Sequence, residues 1–261
     1  CLRQYLICRS NKFIKNNLYN SVSIIIHCKN EFGNIKSGLR RIDNFCKNME
    51  IIFVEGNSSD NTWNEIQSVI NDDEFKKKKF TIKAFKQNST GKKNAVFTGF
   101  NKAKNEILMI LDGDLTVKPE ELSKFWNKIS SGEAEFINGT RLIYPMERDA
   151  MRFLNYIANK LFSHLFSWIL GQRYTDTLCG TKVISKKNYM RATNFTKDLQ
   201  NLDPFGDFFL IFASQRLNLK MIEIPVRYEP RAYGETQISR FRDGLKLIKM
   251  FLISFFKFKA F

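Results

Sequence analysis

The sequence predicts an α/β fold in which helices flank a mainly parallel sheet. Four apolar runs, at residues 22–26, 50–54, 80–85 and 107–111, alternate with segments of helical periodicity. A length of 261 residues, 43% of them hydrophobic, suits one large domain with a full core. Polar side chains follow all four runs, and ligand sites of parallel sheets gather at the carboxyl ends of strands.

The expected elements follow one another along the chain. Four apolar residues after the first run recur at helical spacing: Ile35, Leu39, Ile42 and Phe45. Ser58 or Ser59 can cap a helix over residues 63–70. Residues 94–103 predict a short helix before the fourth run, and residues 221–226 predict a further strand. This succession is typical of βαβ units.

Two aspartates, Asp112 and Asp114, flank Gly113 directly after the fourth run. Carboxylates two positions apart on an extended segment point in alternate directions. One can therefore hold a ribose or sugar hydroxyl while the other reaches a hard divalent cation, Mg²⁺ or Mn²⁺, that bridges a diphosphate. Taken alone, an acidic turn after a strand is more often a solvated loop or a helix cap, so the context decides.

Further polar residues end the other three runs: Asn30 and Glu31, then Glu55, Asn57, Ser58 and Asp60, then residues 91–94 with Lys92. Each set alone has a structural interpretation, as a helix start, an N-cap or a turn. Together, in this order, they favour a nucleotide-sugar site. Neither G-x-G-x-x-G nor a complete P-loop is present, since Lys86 stands where the first P-loop glycine belongs. An NAD enzyme and a P-loop ATPase are therefore disfavoured.

The charge balance points to phosphate-bearing partners. Forty-two basic against 26 acidic residues give a formal net charge of +16, although high charge also serves plain solubility. A basic module that binds nucleic acid or anionic lipid is one alternative, encouraged by the run Lys76–Lys79. We interpret that run as a solvated loop and expect no nucleic-acid partner. The five cysteines show no C-x-x-C spacing, which predicts neither a zinc site nor a disulfide framework and fits a reducing compartment.

Three segments bear on organisation and membranes. Residues 1–20 are expected to be a tail or the remnant of an upstream domain, and residues 21–243 the main domain. Residues 153–171 are apolar but too interrupted by polar side chains to span a bilayer, so they are expected to lie on something apolar. Residues 244–261 predict an amphipathic helix, either on a membrane surface or packed on the core. The protein is expected on the cytoplasmic face of a membrane, or in the cytoplasm.

Several of these segments together resemble glycosyltransferase family two: residues 21–31, 55–62, 91–95 and 111–114. The resemblance covers residues 21–245, and in its second half it is similar to the dolichol-phosphate-mannose-synthase-like branch. Four segments carry that second half: Asn138 to Arg141, Asp176 to Lys182, Phe205 to Phe208 and Arg231 to Thr236. The resemblance implies a GT-A fold, a nucleotide-sugar donor, a divalent metal and inversion at the anomeric carbon.

The resemblance also implies roles for individual residues. Nucleotide-sugar contacts carry over to a set at the strand ends: His27, Asn30, Glu31, Glu55, Asn57, Ser58, Lys92, Asp112 and Gly113. Metal coordination carries over to Asp114, with Asp112 beside it. Three departures leave the donor open, because His27 replaces a usual proline, Glu55 and Asn57 alter a usually acidic segment, and Asn94 replaces a position often acidic or arginine.

The catalytic candidates are Asp207, Asp114 and Arg231. Asp207 lies in an apolar run and is the best candidate for a general base towards a saccharide hydroxyl, or else a helix N-cap. With a polyprenyl (dolichyl) phosphate acceptor, Asp207 need only orient the nucleophile. A cationic and hydrogen-bonding group is expected to form a lid over the diphosphate: Arg231, Tyr233, Gln237 and Arg240. The alternative enzyme class, a nucleotidyltransferase, would be expected to carry a glycine- and arginine-rich loop where this chain has residues 27–31.

Overall fold

The computed structural model describes residues 18–145, 151, 153–195, 203, 205–234 and 240–259, without the side chains of residues 195, 240 and 241. Within them, one seven-stranded sheet has the order β3-β2-β1-β4-β6-β5-β7. Its strands are β1 Ser21–Cys28, β2 Asn48–Glu55, β3 Phe80–Lys86, β4 Ile107–Asp112, β5 Phe136–Thr140, β6 Lys182–Ser185 and β7 Met221–Pro225. The predicted α/β class is confirmed.

The central strands are apolar on both faces because helices cover both sides of the sheet. Within β1, Ile24 and Ile26 join one core cluster while Ile25 joins the other. The first cluster is covered by α1 (Ile35–Arg41), α2 (Thr62–Asn71) and α5 (Leu122–Ser130), with α3 (Asp73–Lys76) at its border. The second is covered by α4 (Lys92–Lys102), α6 (Phe153–Leu170), α7 (Lys186–Phe195), α8 (Phe209–Arg216) and α9 (Arg240–Phe258).

Strand β6 runs against all the others, so the sheet is mainly parallel, as the sequence predicted. It pairs antiparallel with both β4 and β5, while the remaining pairs are parallel. Because β6 is reversed, it starts at the edge where its neighbours end. The loop that leads into it therefore crosses the carboxyl ends of β4 and β5, beside the acidic pair.

Several predicted helix boundaries were wrong. Helix α1 ends at Arg41, so Phe45 lies beyond it, and α4 begins at Lys92 rather than at residue 94. Neither Ser58 nor Ser59 caps α2, whose N-cap is Asn61 without a side-chain bond. Asp60 satisfies the helix start instead, since its Oδ1 accepts from the amide of Thr62 at 3.0 Å. A polar side chain does accept an amide at the start of α2, as expected, but which residue supplies it depends on the loop geometry.

Helices α6 and α9 occupy the two apolar segments singled out in the sequence. They pack together through Phe166 with Phe251 and Trp168 with Phe255, whose ring centroids are 6.0 and 5.5 Å apart. Each helix buries one side in the core, yet each also exposes apolar side chains: Phe153, Leu154, Ile157 and Leu161 on α6, and Leu245, Ile248, Leu252 and Phe256 on α9. None of the helices described here has the length and apolar character to traverse a bilayer. Most of residues 1–20 lies outside the described part.

Candidate active site

The first group at the carboxyl edge, which we call the lysine cluster, consists of Lys92, Asp112, Asp207 and His27. The ammonium of Lys92 lies 3.0 Å from Oδ1 of Asp112 and 2.8 Å from Oδ2 of Asp207. Burial alone would lower the pKa of Lys92, but the two carboxylates outweigh burial and raise it well above its usual range. The same lysine holds the pKa of Asp112 well below its usual range, against the burial of that carboxyl. This ion pair is therefore charged at neutral pH.

His27 completes the lysine cluster from β1. It is the register partner of Asp112, and its Nε2 lies 3.4 Å from Oδ1 of that carboxylate. Burial and the neighbouring Lys92 lower the pKa of His27, although Asp112 acts in the opposite direction. Its Nδ1 is buried without a hydrogen-bond partner among the described residues. A neutral imidazole therefore stands beside the first aspartate of the acidic pair.

Packing of α4 against α8 brings Lys92 and Asp207 together. The rings of Phe97 and Phe209 stack with centroids 5.0 Å apart. Gly206, at φ +78°, touches the backbone of Lys93 so closely that a Cβ there would clash. A lysine at a helix N-terminus opposes the helix dipole, and the two carboxylates offset that cost here. The sequence alternative for Asp207, a helix N-cap, is wrong because Asp203 accepts the amide of Phe209 instead, at 2.8 Å.

The second group, the arginine cluster, consists of Arg231, Glu31 and Asp114. Arg231 donates Nη1 to Oε1 of Glu31 and Nη2 to Oδ2 of Asp114, both at 2.7 Å. Burial raises the pKa of Glu31 to about 7, although Arg231 and a hydrogen bond from Asn34 act against it. The other oxygen of Asp114 accepts from the hydroxyl of Thr116 at 2.8 Å. Asp112 and Asp114 thus take different partners, as their alternation along the strand end predicts.

Gly113 and Gly180 allow this close approach. A Cβ on Gly113 would lie 2.6 Å from the carbonyl oxygen of His27, and a Cβ on Gly180 would clash with the carboxylate of Asp112. Gly180 belongs to the loop that the reversed β6 carries across this edge. Only glycine therefore fits at positions 113 and 180, beside the acidic pair.

The predicted contacts on β1 and β2 mainly hold the loops of the site. The amide of Asn30 donates to Oγ of Ser58 at 3.0 Å, and its Oδ1 accepts from the amide of Ser59 at 2.8 Å. Glu55 is buried and accepts from the amide of Ser58. Asn30 and Asn57 adopt left-handed backbone conformations, with φ of 55° and 57°, which asparagine tolerates better than most residues. The structure places these residues at the edge of the site rather than in either cluster.

The first residues of the segment expected to form a lid lie beside the loop that follows β1. A Cβ on Gly33 would lie 2.6 Å from the ring of Tyr233, and this ring meets that of Phe32 edge-on with centroids 6.3 Å apart. Gln237 lies outside the described residues. Arg240 begins α9, and its side chain is not described.

Arg141 forms a salt bridge with the fully buried Asp176, a pair to which the sequence alone assigns no role. Asp176 accepts from Nε of Arg141 at 2.7 Å and from its Nη2 at 2.9 Å. The Arg141 guanidinium also lies 5.1 Å from the centroid of the Tyr228 ring. This guanidinium contributes to the low pKa of Asp112. Arg141 therefore adds fixed positive charge to the edge where the acidic pair lies.

The carboxylates of Asp112 and Asp114 are the donor set available to a metal. Among the described residues no three histidine, cysteine or carboxylate side chains are grouped to hold an ion. Mg²⁺ commonly takes only one or two carboxylates and completes its shell with phosphate oxygens and water. Two oxygen donors beside a cationic edge fit a cation that arrives with a diphosphate.

A family model described as glycosyl transferase family 2 matches residues 23–214, well over half of the chain. The chain belongs to glycosyl transferase family 2. Its relatives include the dolichol-phosphate mannosyltransferase of Pyrococcus furiosus, 30% identical over 125 residues that cover 47% of this chain and 33% of that protein. The undecaprenyl-phosphate 4-deoxy-4-formamido-L-arabinose transferase of Proteus mirabilis is 25% identical over 236 residues, covering 88% and 65% respectively. The chain thus spans less than two thirds of either family 2 relative.

A similar fold is found among solved structures. Glucosyl-3-phosphoglycerate synthase from Mycobacterium tuberculosis, in complex with Mn²⁺ and UDP-glucose, superposes with a TM-score of 0.63 at 15% identity. The match covers 90% of this chain and 79% of that one. The predicted GT-A fold is confirmed, and family membership favours a transferase of sugars over the nucleotidyltransferase alternative.

Proposed function

We propose that this family 2 chain is an inverting, metal-dependent glycosyltransferase that moves a sugar from a nucleoside-diphosphate sugar to a polyprenyl phosphate. The observation that carries the proposal is the pair of clusters at one sheet edge. Lys92 bridges Asp112 and Asp207 there. Arg231 bridges Glu31 and Asp114. Each member of the acidic pair thus has a cation beside it. The names of the relatives support the acceptor class, since one uses dolichol phosphate and another undecaprenyl phosphate.

The donor would lie along the carboxyl edge, with its nucleoside towards Glu31 and Glu55 and its diphosphate towards Asp114. Glu31, Asp112 and Asp114 are acceptors suited to ribose and base donors. A divalent cation would be held by Asp114, with Asp112 beside it, and would supply positive charge to the diphosphate. Arg231 now bonds to Asp114, so we infer that it exchanges this carboxylate for the diphosphate when the donor binds.

The transfer itself needs no covalent bond to the protein. An acceptor oxygen forms the new bond to the anomeric carbon from one side while the bond to the diphosphate breaks on the other, which inverts the centre. The bonding electrons leave with the nucleoside diphosphate, and Arg231 stabilises the charge that develops there. A phosphate acceptor is already anionic, so Asp207 and Lys92 would only orient it. A saccharide hydroxyl would instead give its proton to Asp207.

The acceptor lipid would reach the site from a membrane surface. Helices α6 and α9 each expose a row of apolar side chains although they pack against one another. Helix α9 and the residue after it carry four lysines, at positions 246, 249, 257 and 259. Such side chains can reach lipid headgroups while their aliphatic stems lie on apolar surface. We therefore infer that the protein acts as a peripheral protein at a membrane surface.

Release of nucleoside diphosphate tests the proposal. The protein is incubated with UDP- and GDP-sugars and Mg²⁺ or Mn²⁺, with and without a short-chain polyprenyl phosphate, alongside an Asp114→Asn variant. Release that requires the lipid and is abolished by EDTA and by the variant is expected. Equal release with a saccharide acceptor and no lipid would redirect the acceptor assignment, and metal-independent turnover would refute the role of Asp114. Asp73→Asn, which changes an exposed carboxylate paired with Lys76, is the matched control.

A further inference from the structure

A second charged feature lies at the opposite, amino-terminal edge of the sheet. A groove of about 490 Å³ opens where β2, β3 and β4 begin. Its cationic lining consists of five lysines: Lys47, Lys78, Lys79, Lys83 and Lys104. The strands between this edge and the candidate active site have up to eight residues, which separates the two by roughly 25 Å. The groove is therefore no part of the site described above.

Only one carboxylate lines the groove, and it is already neutralised. Glu50 is 3% exposed, pairs with Lys83 and accepts from Ser23 and from the amide of Lys104. Such a paired and hydrogen-bonded carboxylate leaves no charge to balance the other lysines. This carboxylate thus offsets Lys83, while Asp43 and Glu74 act on Lys78 from outside the lining, so the positive charge left in the groove is that of the exposed lysines.

Lys78 shapes one wall of the groove. Its ammonium donates to the carbonyl oxygens of Leu39, Arg40 and Ile42, at 2.8, 2.8 and 3.1 Å, and thereby satisfies the last turn of α1. The sequence interpretation of Lys76–Lys79 as a plain solvated loop is therefore wrong for Lys78. By fixing this residue, the fold holds the exposed Lys79 beside the groove rather than leaving the run free in solvent.

Three exposed lysines then remain to meet a ligand. No carboxylate of the described residues pairs with the side chain of Lys47, Lys79 or Lys104. All the lining cations are lysines, which are compact point charges that suit the many orientations of phosphate oxygens. The side chains of Asn48, Thr81 and Asn105 add uncharged hydrogen-bonding groups to the lining. Repulsion among like charges held in one groove is relieved most simply by a bound polyanion.

We propose that this groove is a second anion site, specific for a ligand with two or more phosphate groups, and separate from the site for the sugar donor. Two sources offer this chemistry, a free polyphosphate in solution and the phosphorylated headgroup of a lipid. The proposal does not depend on the reaction at the carboxyl edge, because the residues of the two sites are distinct.

A charge-matched pair of double variants tests the groove. Lys79→Glu/Lys104→Glu reverses two lining lysines, while Lys77→Glu/Lys187→Glu makes the same charge change at two exposed lysines outside the groove. Inorganic tripolyphosphate is titrated into each protein by calorimetry, and each is also cosedimented with phosphatidylcholine vesicles with or without phosphatidylinositol bisphosphate, whose headgroup carries several phosphates. The carboxyl edge is unchanged in all three proteins, so tripolyphosphate that binds there cancels from the comparison.

The groove variant is expected to bind tripolyphosphate about 100-fold more weakly, with the control within about threefold of native, because two charge-assisted contacts are lost. If the groove variant no longer cosediments with the phosphatidylinositol bisphosphate vesicles while no protein binds tripolyphosphate, the site holds and its source is lipid. Equal weakening in both variants would mean diffuse charge and would overturn the proposal, as would a native protein that binds neither probe. Should the glutamate variant unfold, Lys79→Gln/Lys104→Gln is compared with Lys77→Gln/Lys187→Gln by the same criteria.

Discussion

Arg231 and Asp114, 117 positions apart in the chain, are joined by a 2.7 Å hydrogen bond from Nη2 to Oδ2. The same guanidinium bonds to Glu31, so one side chain from the segment after β7 ties together the ends of β1 and β4. The carboxylates it neutralises are the ones we expect to face the donor. A diphosphate would therefore compete with them for Arg231, which makes this arginine the contact most sensitive to the donor.

Replacement of Arg231 should affect catalysis more than folding. Arg231→Gln is expected to lower kcat/KM about 100-fold, because it removes a charge that would stabilise the leaving diphosphate. Arg231→Lys should recover only part of the activity, since a lysine keeps the charge but loses the planar fork. Arg40→Gln, which breaks a surface pair with Glu74, is the control and should leave kcat/KM unchanged. A wild-type kcat/KM for Arg231→Gln would contradict its role.

Removal of Lys92 should destabilise the fold. Lys92→Met leaves the carboxylates of Asp112 and Asp207 beside each other without their cation, and the free energy of unfolding should fall by roughly 2–4 kcal/mol. The double variant Lys92→Met/Asp207→Asn should regain part of that stability, because one buried charge is removed with its partner. Urea unfolding measures both. Equal stability of the single and double variants would show that the pair is not coupled, and Lys76→Met serves as a surface control.

The raised pKa of Glu31 predicts a pH dependence of stability. Its pKa is about 7 in the folded protein against an ordinary value of 4.5. An acid with a raised folded pKa stabilises the fold fully below its unfolded pKa and loses that contribution as the pH rises through the folded value. Between pH 4.5 and 7, the native protein should therefore lose up to roughly 3 kcal/mol relative to Glu31→Gln. Urea unfolding at pH 5 and pH 8 measures this difference.

The control for this titration is Glu74→Gln. A hydrogen bond from Arg40 holds the pKa of Glu74 below its usual value, so its stabilising contribution is present above the unfolded pKa and is lost on acidification. The stability difference between native protein and this variant should therefore stay constant from pH 5 to pH 8 and change only on acidification below about pH 4.5. A flat difference for Glu31→Gln across pH 5 to 8 would refute the raised pKa.

Gly180 should be intolerant of a side chain although its backbone conformation is ordinary. Gly180→Ala places a Cβ against the carboxylate of Asp112, and we expect donor affinity to fall about tenfold as that carboxylate shifts. Gly244→Ala is the matched control, because nothing lies within 4 Å of its Cβ and alanine favours a helix by about 0.5–1 kcal/mol. Calorimetric titration with the nucleoside diphosphate measures affinity. Unchanged affinity in Gly180→Ala would show that Asp112 does not contact the donor.

Polar substitutions on α9 should weaken membrane binding. Leu252 and Phe256 are 50% and 57% exposed, so Leu252→Gln/Phe256→Gln should leave the fold intact and reduce cosedimentation with vesicles severalfold. Met190→Gln, the control, changes a side chain of similar exposure, 58%, on a different helix, α7. Equal loss in both variants, or none in either, would argue against α9 as the membrane-facing helix.

The sequence predicted strands β1 to β4 and β7, but not β5 and β6, which lie between β4 and β7 in the sheet. Strands β1, β2 and β4 are long runs of β-branched and apolar residues, because both of their faces are buried, and such runs are visible without a structure. Strands β5 and β6 were not predicted. The first includes Asn138 and Gly139 and the second has four residues beginning with the fully buried Lys182, so neither shows a strand pattern.

Only some of the residues at the candidate site could be predicted from the sequence. The acidic pair and the polar strand ends could be located because parallel strands must bring their carboxyl ends to one edge. The contact between Lys92 and Asp207 depends on how α8 packs. The contacts of Arg231 with Glu31 and Asp114 depend on how the segment after β7 folds back. Asp203 accepts the amide of Phe209 at the start of α8, the role considered for Asp207 as an N-cap. No motif in the sequence pointed to Asp203.

By itself the sequence determined the fold class and the sheet edge at which the polar strand ends gather, because hydrophobic periodicity and strand-end chemistry are local properties of the chain. Tertiary structure alone decided which charges meet. An ion pair depends on distances of about 3 Å between residues far apart in sequence. Those distances follow from the reversal of β6, the packing of α4 on α8 and the glycines that permit close approach, none of which a local pattern can contain.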